Sequence, residues 1–275
     1  MGDLRGLKPI AVNVLSGDIG IPDDNSDNSY HVVIGENAAA MDGFTITGGN
    51  ADGSVYHAKG GGMINYTKGI IPFGNGVSPI ISNCVFSKNH AIEGGAMYNY
   101  GRCAPVVEDC TFIENSADFG GAVLDRVGVN TVVSNTTFTK NSARWRGGAY
   151  YMDYGSRPKL GNCAFTENSS GGHGGGVYTI TRASQLEHTF ASITNCSFTG
   201  NNAKLRGGGI ASYDMTILEV KDSIFSENHA GKGGGGVSLD LRIEATFEGC
   251  TFIENSGGDG KADIDSDDSS QFKIK

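Results

Sequence analysis

Apolar and polar positions along the chain recur at a distance longer than any single helix or strand. Phe86, Phe112, Phe138, Phe165, Phe198, Phe225 and Phe252 each stand three residues before an asparagine, from Asn89 to Asn255. Successive phenylalanines are 26, 26, 27, 33, 27 and 27 residues apart. A period in the twenties marks a chain that coils, each coil stacking on the last. Two residues before each phenylalanine stands Cys84, Cys110, Thr136, Cys163, Cys196, Ser223 or Cys250. A step of two puts both columns on one face of a strand, turned inward. Three residues earlier lies another apolar column: Ile81, Val107, Val133, Leu160, Ile193, Val220 and Phe247. Three breaks the alternation, so a bend lies between. Asn83, Asp109, Asn135, Asn162, Asn195 and Asp222 occupy it, as short polar side chains that bond turn backbone and stack as ladders. Lys88, Glu114, Lys140 and Glu167 form a further column of alternating sign.

The runs between bends are short and rich in β-formers, as in Thr111-Phe112-Ile113, and the 43 glycines disfavour helices while permitting tight turns. The pattern predicts an all-β chain, a single-stranded parallel β-helix of about eight coils. Its hand is right, by the general preference of parallel crossovers. Residues 38–264 carry the coils, with loop insertions expected at 51–79 and 181–191. Residues 1–37 read as first partial coils or a truncated cap, and 265–275 as an acidic tail. An export signal is expected outside this chain, because 1–34 reads like the middle of a sheet.

Composition narrows the partners. A net charge of −9 argues against nucleic acid and anionic membranes. No run is long and apolar enough to span a bilayer. Five of the six cysteines occupy the inward column, where parallel Cβ vectors make poor disulfides, so they read as buried thiols. Cys103 is off-column and free to pair.

Phe86 to Asn89 with Gly94-Gly95-Ala96-Met97, Phe112 to Asn115 with Gly120-Gly121-Ala122-Val123, and Phe138 to Asn141 with Gly147-Gly148-Ala149-Tyr150 share one phrase. This phrase resembles the repeat of the chlamydial polymorphic outer-membrane proteins. Asp42-Gly43-Phe44-Thr45-Ile46-Thr47-Gly48-Gly49 is similar to secreted proteins of the broad pectate-lyase-like β-helix group. The resemblance implies a surface or secreted β-helix; the wider group includes adhesin passengers, lyases, hydrolases and epimerases.

Chemistry has several candidate places. Tyr98, Tyr151 and Tyr178 share a column that could stack on sugar rings. Arg144-Trp145-Arg146 precedes one glycine pair and Lys204-Leu205-Arg206 another, with His173 in the Arg146/Arg206 column. On an acidic chain this is a local basic stripe suited to an anionic polysaccharide. A lyase would draw its base and its carboxylate-neutralising cation from His173, Arg146, Arg206, Tyr151 and Tyr178. A glycoside hydrolase needs paired carboxyls. Asp153 and Asp240 share a column but lie three coils, roughly 14 Å, apart. Asp125 and Asp153 face opposite ways, and Glu227 and Glu254 look structural. Asp23, Asn25 and Asp27 mimic the start of a calcium loop but lack its later ligands; otherwise no metal or cofactor motif is present. The leading reading is an adhesin-like scaffold, extracellular or on the cell surface, contacting glycans or a partner protein along one face. The alternatives are a secreted lyase or hydrolase of acidic polysaccharide, or a structural segment of a larger surface assembly joined through its coil-stack ends.

Overall fold

The computed structural model describes residues 13–22, 24–66, 76–181 and 187–275. Every sheet is parallel and every coil follows one route. In the coil starting at residue 80, Ile80–Ser82 lies in sheet 1, Val85–Ser87 in sheet 2, His90–Glu93 in sheet 3 and Met97–Tyr100 in sheet 4. The next coil begins at Val106–Glu108, paired with Ile80–Ser82. Among the described residues, sheets 1, 2 and 4 have nine strands each and sheet 3 has eight. The coils therefore number nine where about eight were expected.

The corners explain the polar columns. Asn83, Asp109, Asn135, Asn162, Asn195 and Asp222 all have φ of 49–54°, and Lys88, Glu114, Lys140, Glu167, Glu227 and Glu254 have φ of 50–56°. One left-handed residue turns the chain sharply and resets its alternation, so inward columns resume in the next strand. At the first corner the side chains also ladder: Asn195 Nδ2 donates to Asn162 Oδ1 at 2.7 Å, and Asn162 Nδ2 to Asn135 Oδ1 at 3.1 Å. At the second, Lys140 and Glu167 approach to 3.7 Å, but both are exposed and the pair contributes little.

The interior is built from the predicted columns. The seven phenyl rings stack face to face with centroids 4.7–5.0 Å apart, and Ile46 takes the same position one coil earlier. Cys84, Cys110, Cys163 and Cys196 are buried beside them, Cys250 is half-buried, and all are free thiols. Off-column Cys103 is also free and buried, its Sγ donating to the Tyr100 carbonyl at 3.0 Å. The asparagine after each second corner points inward as well. Asn89, Asn115, Asn141, Asn168, Asn201, Asn228 and Asn255 form one buried ladder. Each amide donates to the carbonyl of a phenylalanine or Ile46 in the preceding coil and to the next amide oxygen, except that Asn255, the last rung, donates to Asp263 Oδ1 instead.

The Gly-Gly-Ala phrase is equally physical. Gly94, Gly120 and Gly147 have φ of 64–66°. At the second glycine a Cβ on Gly95 would meet the Gly121 carbonyl oxygen at 2.2 Å. The alanine that follows, Ala96, Ala122 or Ala149, is fully buried.

Two boundaries differ from the expectation. The stretch 51–79 is not all insertion. Val55–Ala58 is a 3-10 turn, and Met63–Tyr66 is a full sheet 4 strand paired with Met97–Tyr100. That coil starts with Ala40–Asp42 and Phe44–Thr47, and its extra turn after Ala51 pushes the sheet 4 strand out of the usual spacing; residues 67–75 lie outside the described residues. The tail is also coil: Ile264–Ser266 joins sheet 4 and Gln271–Ile274 joins sheet 1. Of the stretch 181–191, Phe190 and Ala191 already belong to the sheet 1 strand Phe190–Thr194, and Thr189 N–H donates to Thr181 Oγ1 at 2.6 Å; 182–186 lie outside the described residues.

Candidate functional site

The left-handed glycine after each sheet 3 strand swings the chain so that the side chain before it lies over the outer face of sheet 4. The row so placed runs Lys59, Glu93, Phe119, Arg146, His173, Arg206, each a backbone neighbour of the next. Beneath it lies the row Ile64, Tyr98, Leu124, Tyr151, Tyr178, Ala211. This second row points away from the coil axis and is nonetheless buried, forming a second apolar cluster.

That burial changes the reading of the tyrosines. Tyr98, Tyr151 and Tyr178 are 0%, 1% and 2% exposed, so their faces are not open to a sugar. Their faces are occupied from within. Lys59 Nζ sits 4.8 Å above the Tyr98 ring, Phe119 meets Tyr151 edge-on at 5.9 Å, and the Arg146 guanidinium lies 5.3 Å from the Tyr178 centroid. Tyr151 and Tyr178 stack on each other at 5.3 Å. Burial raises the pKa of Tyr98 and Tyr178, so both keep their protons.

The basic stripe divides into a ridge and a cleft. Strand Ser142–Arg146 is the longest of sheet 3 and bulges against Ser116–Phe119. The bulge lifts Arg144 and Trp145 into solvent, with the Arg144 guanidinium 4.9 Å from the indole centroid and Trp145 47% exposed. Lys204 is exposed two coils away. Among the described residues Arg144, Arg146 and Lys204 have no carboxylate within ion-pair distance. Beside the ridge, Arg146, His173, Tyr178, Arg206, Tyr213, Asp240, Leu241 and Asp267 line a cleft of about 340 Å³.

The cleft is electrically uneven. Arg206 Nη1 bonds Asp240 Oδ1 at 2.9 Å and Asp265 Oδ2 at 3.2 Å, so its charge is already matched. Burial raises the Asp240 pKa against the pull of Arg206. His173 has its pKa pushed down to about 4, first by burial and then by Arg146 and Arg206, which leaves a neutral imidazole at pH 7. Of the sequence-derived set, the structure therefore brings Arg146, His173, Tyr178 and Arg206 together. It puts Arg144, Trp145 and Lys204 on the adjoining surface, stacks Tyr151 on Tyr178 without bringing it into the cleft lining, and leaves Tyr98 apart.

Asp240 and Tyr213 complete the cleft, and neither stood out as a site residue. Both lie in the column Tyr100, Arg126, Asp153, Ile180, Tyr213, Asp240, and the signal was their coil-to-coil adjacency to the stripe. A charge chain links this column to the row above it. Lys59 Nζ lies 3.0 Å from Glu93 Oε2, Arg126 Nη1 2.6 Å from Glu93 Oε1, and Arg126 Nη2 3.1 Å from Asp153 Oδ2. Burial opposes the charge on Glu93, yet Arg126 and Lys59 together hold its pKa below the usual range. Asp125 faces inward, as the strand alternation required. It accepts from Asn99 Nδ2 at 2.7 Å and Tyr150 OH at 2.8 Å, and burial pushes its pKa up to about 6.

The acidic loop near the start is a self-bonded turn. Asp24 accepts from Ser26 N–H and Oγ, and Asp27 Oδ2 accepts from Ile21 N–H at 2.8 Å. Asn25 opens the 3-10 turn, and Asp23 lies outside the described residues. Among the described residues no group of His, Cys, Asp and Glu could hold a metal ion, and no helix is long and apolar enough to cross a membrane.

Against this geometry stand the comparisons with known proteins. A family model described as the right handed beta helix region matches residues 32–190, more than half of the chain. The Chlamydia polymorphic membrane protein repeat matches residues 222–240, around Phe225 and Asn228. No curated protein and no solved structure matches the chain.

Proposed function

The chain belongs to the right-handed β-helix family, and from that premise we propose that it is a binding scaffold of a cell-surface or secreted protein, taking an acidic polysaccharide. The short likeness to the Chlamydia polymorphic membrane protein repeat supports the surface setting. One observation carries the ligand class. Arg144 lies against the exposed Trp145, and Arg144, Arg146 and Lys204 have no carboxylate partners among the described residues, on a chain of net charge −9. Guanidinium forks suit carboxylate or sulfate groups, and the indole supplies a flat apolar face for a sugar ring. Arg206 contributes less, because Asp240 and Asp265 already hold it.

A second reading, a polysaccharide lyase, is favoured by His173. A neutral imidazole beside Arg146 is the pairing needed to take the proton next to a uronate carboxylate while a cation neutralises that carboxylate. Titration with oligogalacturonates and with neutral oligosaccharides tests both. Saturable binding of the acidic set alone, lost in Arg146→Ala, supports the scaffold. A rise in absorbance of unsaturated product, lost in His173→Ala, supports the lyase. Equal or absent binding of both sets overturns the ligand class.

A further inference from the structure

Sheet 2 carries a second kind of surface. Its buried row of phenylalanines is flanked by two outward rows, the residue before and the residue after each ring. From Thr45 to Ile253 these rows contain only Thr, Ser, Val, Ile and Ala. Every pairing in the sheet is in register, without a bulge. The rows are therefore straight, and their hydroxyl- and methyl-bearing residues stand on a rectangular array of backbone positions. Along the stack the array repeats with the coil, whose buried rings lie 4.7–5.0 Å apart. Neighbouring hydroxyls already lie in line: Thr137 Oγ1 donates to Thr111 Oγ1 at 3.3 Å, and Thr199 Oγ1 lies 3.0 Å from Ser226 Oγ.

We infer that this face binds ice, through ordered water held on the array of Thr139, Thr166 and Thr199 and their row neighbours. Three physical points lead there. Oxygens joined by hydrogen bonds sit about 2.8 Å apart, so second neighbours in a tetrahedral water lattice lie about 4.5 Å apart, close to the coil repeat. Methyl groups restrict the orientation of first-shell water, and hydroxyls then anchor it. The charge also matches. On a chain with 51 charged side chains the two outward rows of this face have none, its neighbours on either side being the corner columns, and the complement of an uncharged, regular face is an uncharged, regular ligand. A crystalline polysaccharide would be the other ordered ligand, but it is gripped by aromatic rows, and neither outward row holds an aromatic residue. The inference is independent of the basic ridge, which faces solvent from sheet 3.

The test is growth of a single ice crystal in the purified protein, read as thermal hysteresis and crystal shaping. Wild type opens a gap between melting and freezing. Thr139→Lys places a long charged side chain mid-array and abolishes most of the gap, while Thr194→Lys, on exposed sheet 1, leaves it intact. Circular dichroism melts of both variants confirm that each is folded. Absence of a gap in folded wild type overturns the inference. So does a full gap in folded Thr139→Lys, or adsorption to crystalline cellulose without any effect on ice.

Discussion

The oxygen of the Asn168 side chain accepts twice from Asn141, from its backbone N–H at 2.9 Å and from its Nδ2 at 3.0 Å. Asn141 Nδ2 also donates to the Phe112 carbonyl at 3.0 Å, and its own oxygen accepts from Asn115. One buried amide thus satisfies groups in three coils. Asn141→Ala orphans several buried donors and acceptors at about 1–3 kcal/mol each, so a loss of about 2–5 kcal/mol is expected. Asn141→Asp does no better, since a carboxylate cannot donate to Phe112. Urea denaturation of the two variants measures both effects.

Asp125 makes stability depend on pH in an unusual direction. Its folded pKa, about 6, lies above the ordinary aspartate value, so the folded state holds the proton more tightly than the unfolded chain. The contribution is fully present below about pH 4 and is lost as pH rises through 6. Asp125→Asn keeps an acceptor for Asn99 and removes the buried charge. It should raise stability at pH 8 by on the order of 2–3 kcal/mol and change little at pH 4. Melts across that range decide it.

Arg126 should matter most at neutral pH. Removing it as Arg126→Met leaves Glu93 with Lys59 alone and takes the guanidinium from the fully buried Asp153, a loss of about 3–5 kcal/mol. Glu93 has a depressed folded pKa, so its contribution is present above the unfolded value and is lost as pH falls. The gap between variant and wild type therefore narrows in acid, as thermal unfolding at pH 7 and pH 3.5 would reveal.

Trp145 is the only tryptophan and is half exposed, so it reports on the ridge without labelling. Its emission should be that of a solvated indole and should change on saturation with acidic oligosaccharide. Trp145→Ala should weaken binding and leave the unfolding free energy within about 0.5 kcal/mol of wild type.

Thiol accessibility separates the cysteines. Cys250 alone is incompletely buried, so one thiol should react with an aromatic disulfide reagent in the native state and six after denaturation.

Much of this was legible because the chain repeats itself. The Phe86 and Cys84 columns, the bend at Asn83 and the coil period all follow from spacing, since a register error of one residue would turn every ring outward. Asn89 was visible as a mark but not as a buried rung. Its inward aim depends on the left-handed turn at Lys88, and nothing in a lysine announces positive φ. The tyrosine row failed for a related reason. Tyr178 is outward by alternation, and only the fold-over at Gly174 brings Arg146 and His173 across it. Met63–Tyr66 was missed because the extra turn at Val55–Ala58 breaks the spacing that links it to Ile46.

The corner residues have one more consequence. Because Asn83 and Lys88 turn the chain with nearly the same angles as Asn135 and Lys140, every storey of the tower has the same floor plan. A gene duplication of 26 or 27 codons would therefore add one storey and disturb neither the one above nor the one below. Length in this molecule is a counted quantity, open to change in whole steps while its cross-section stays fixed.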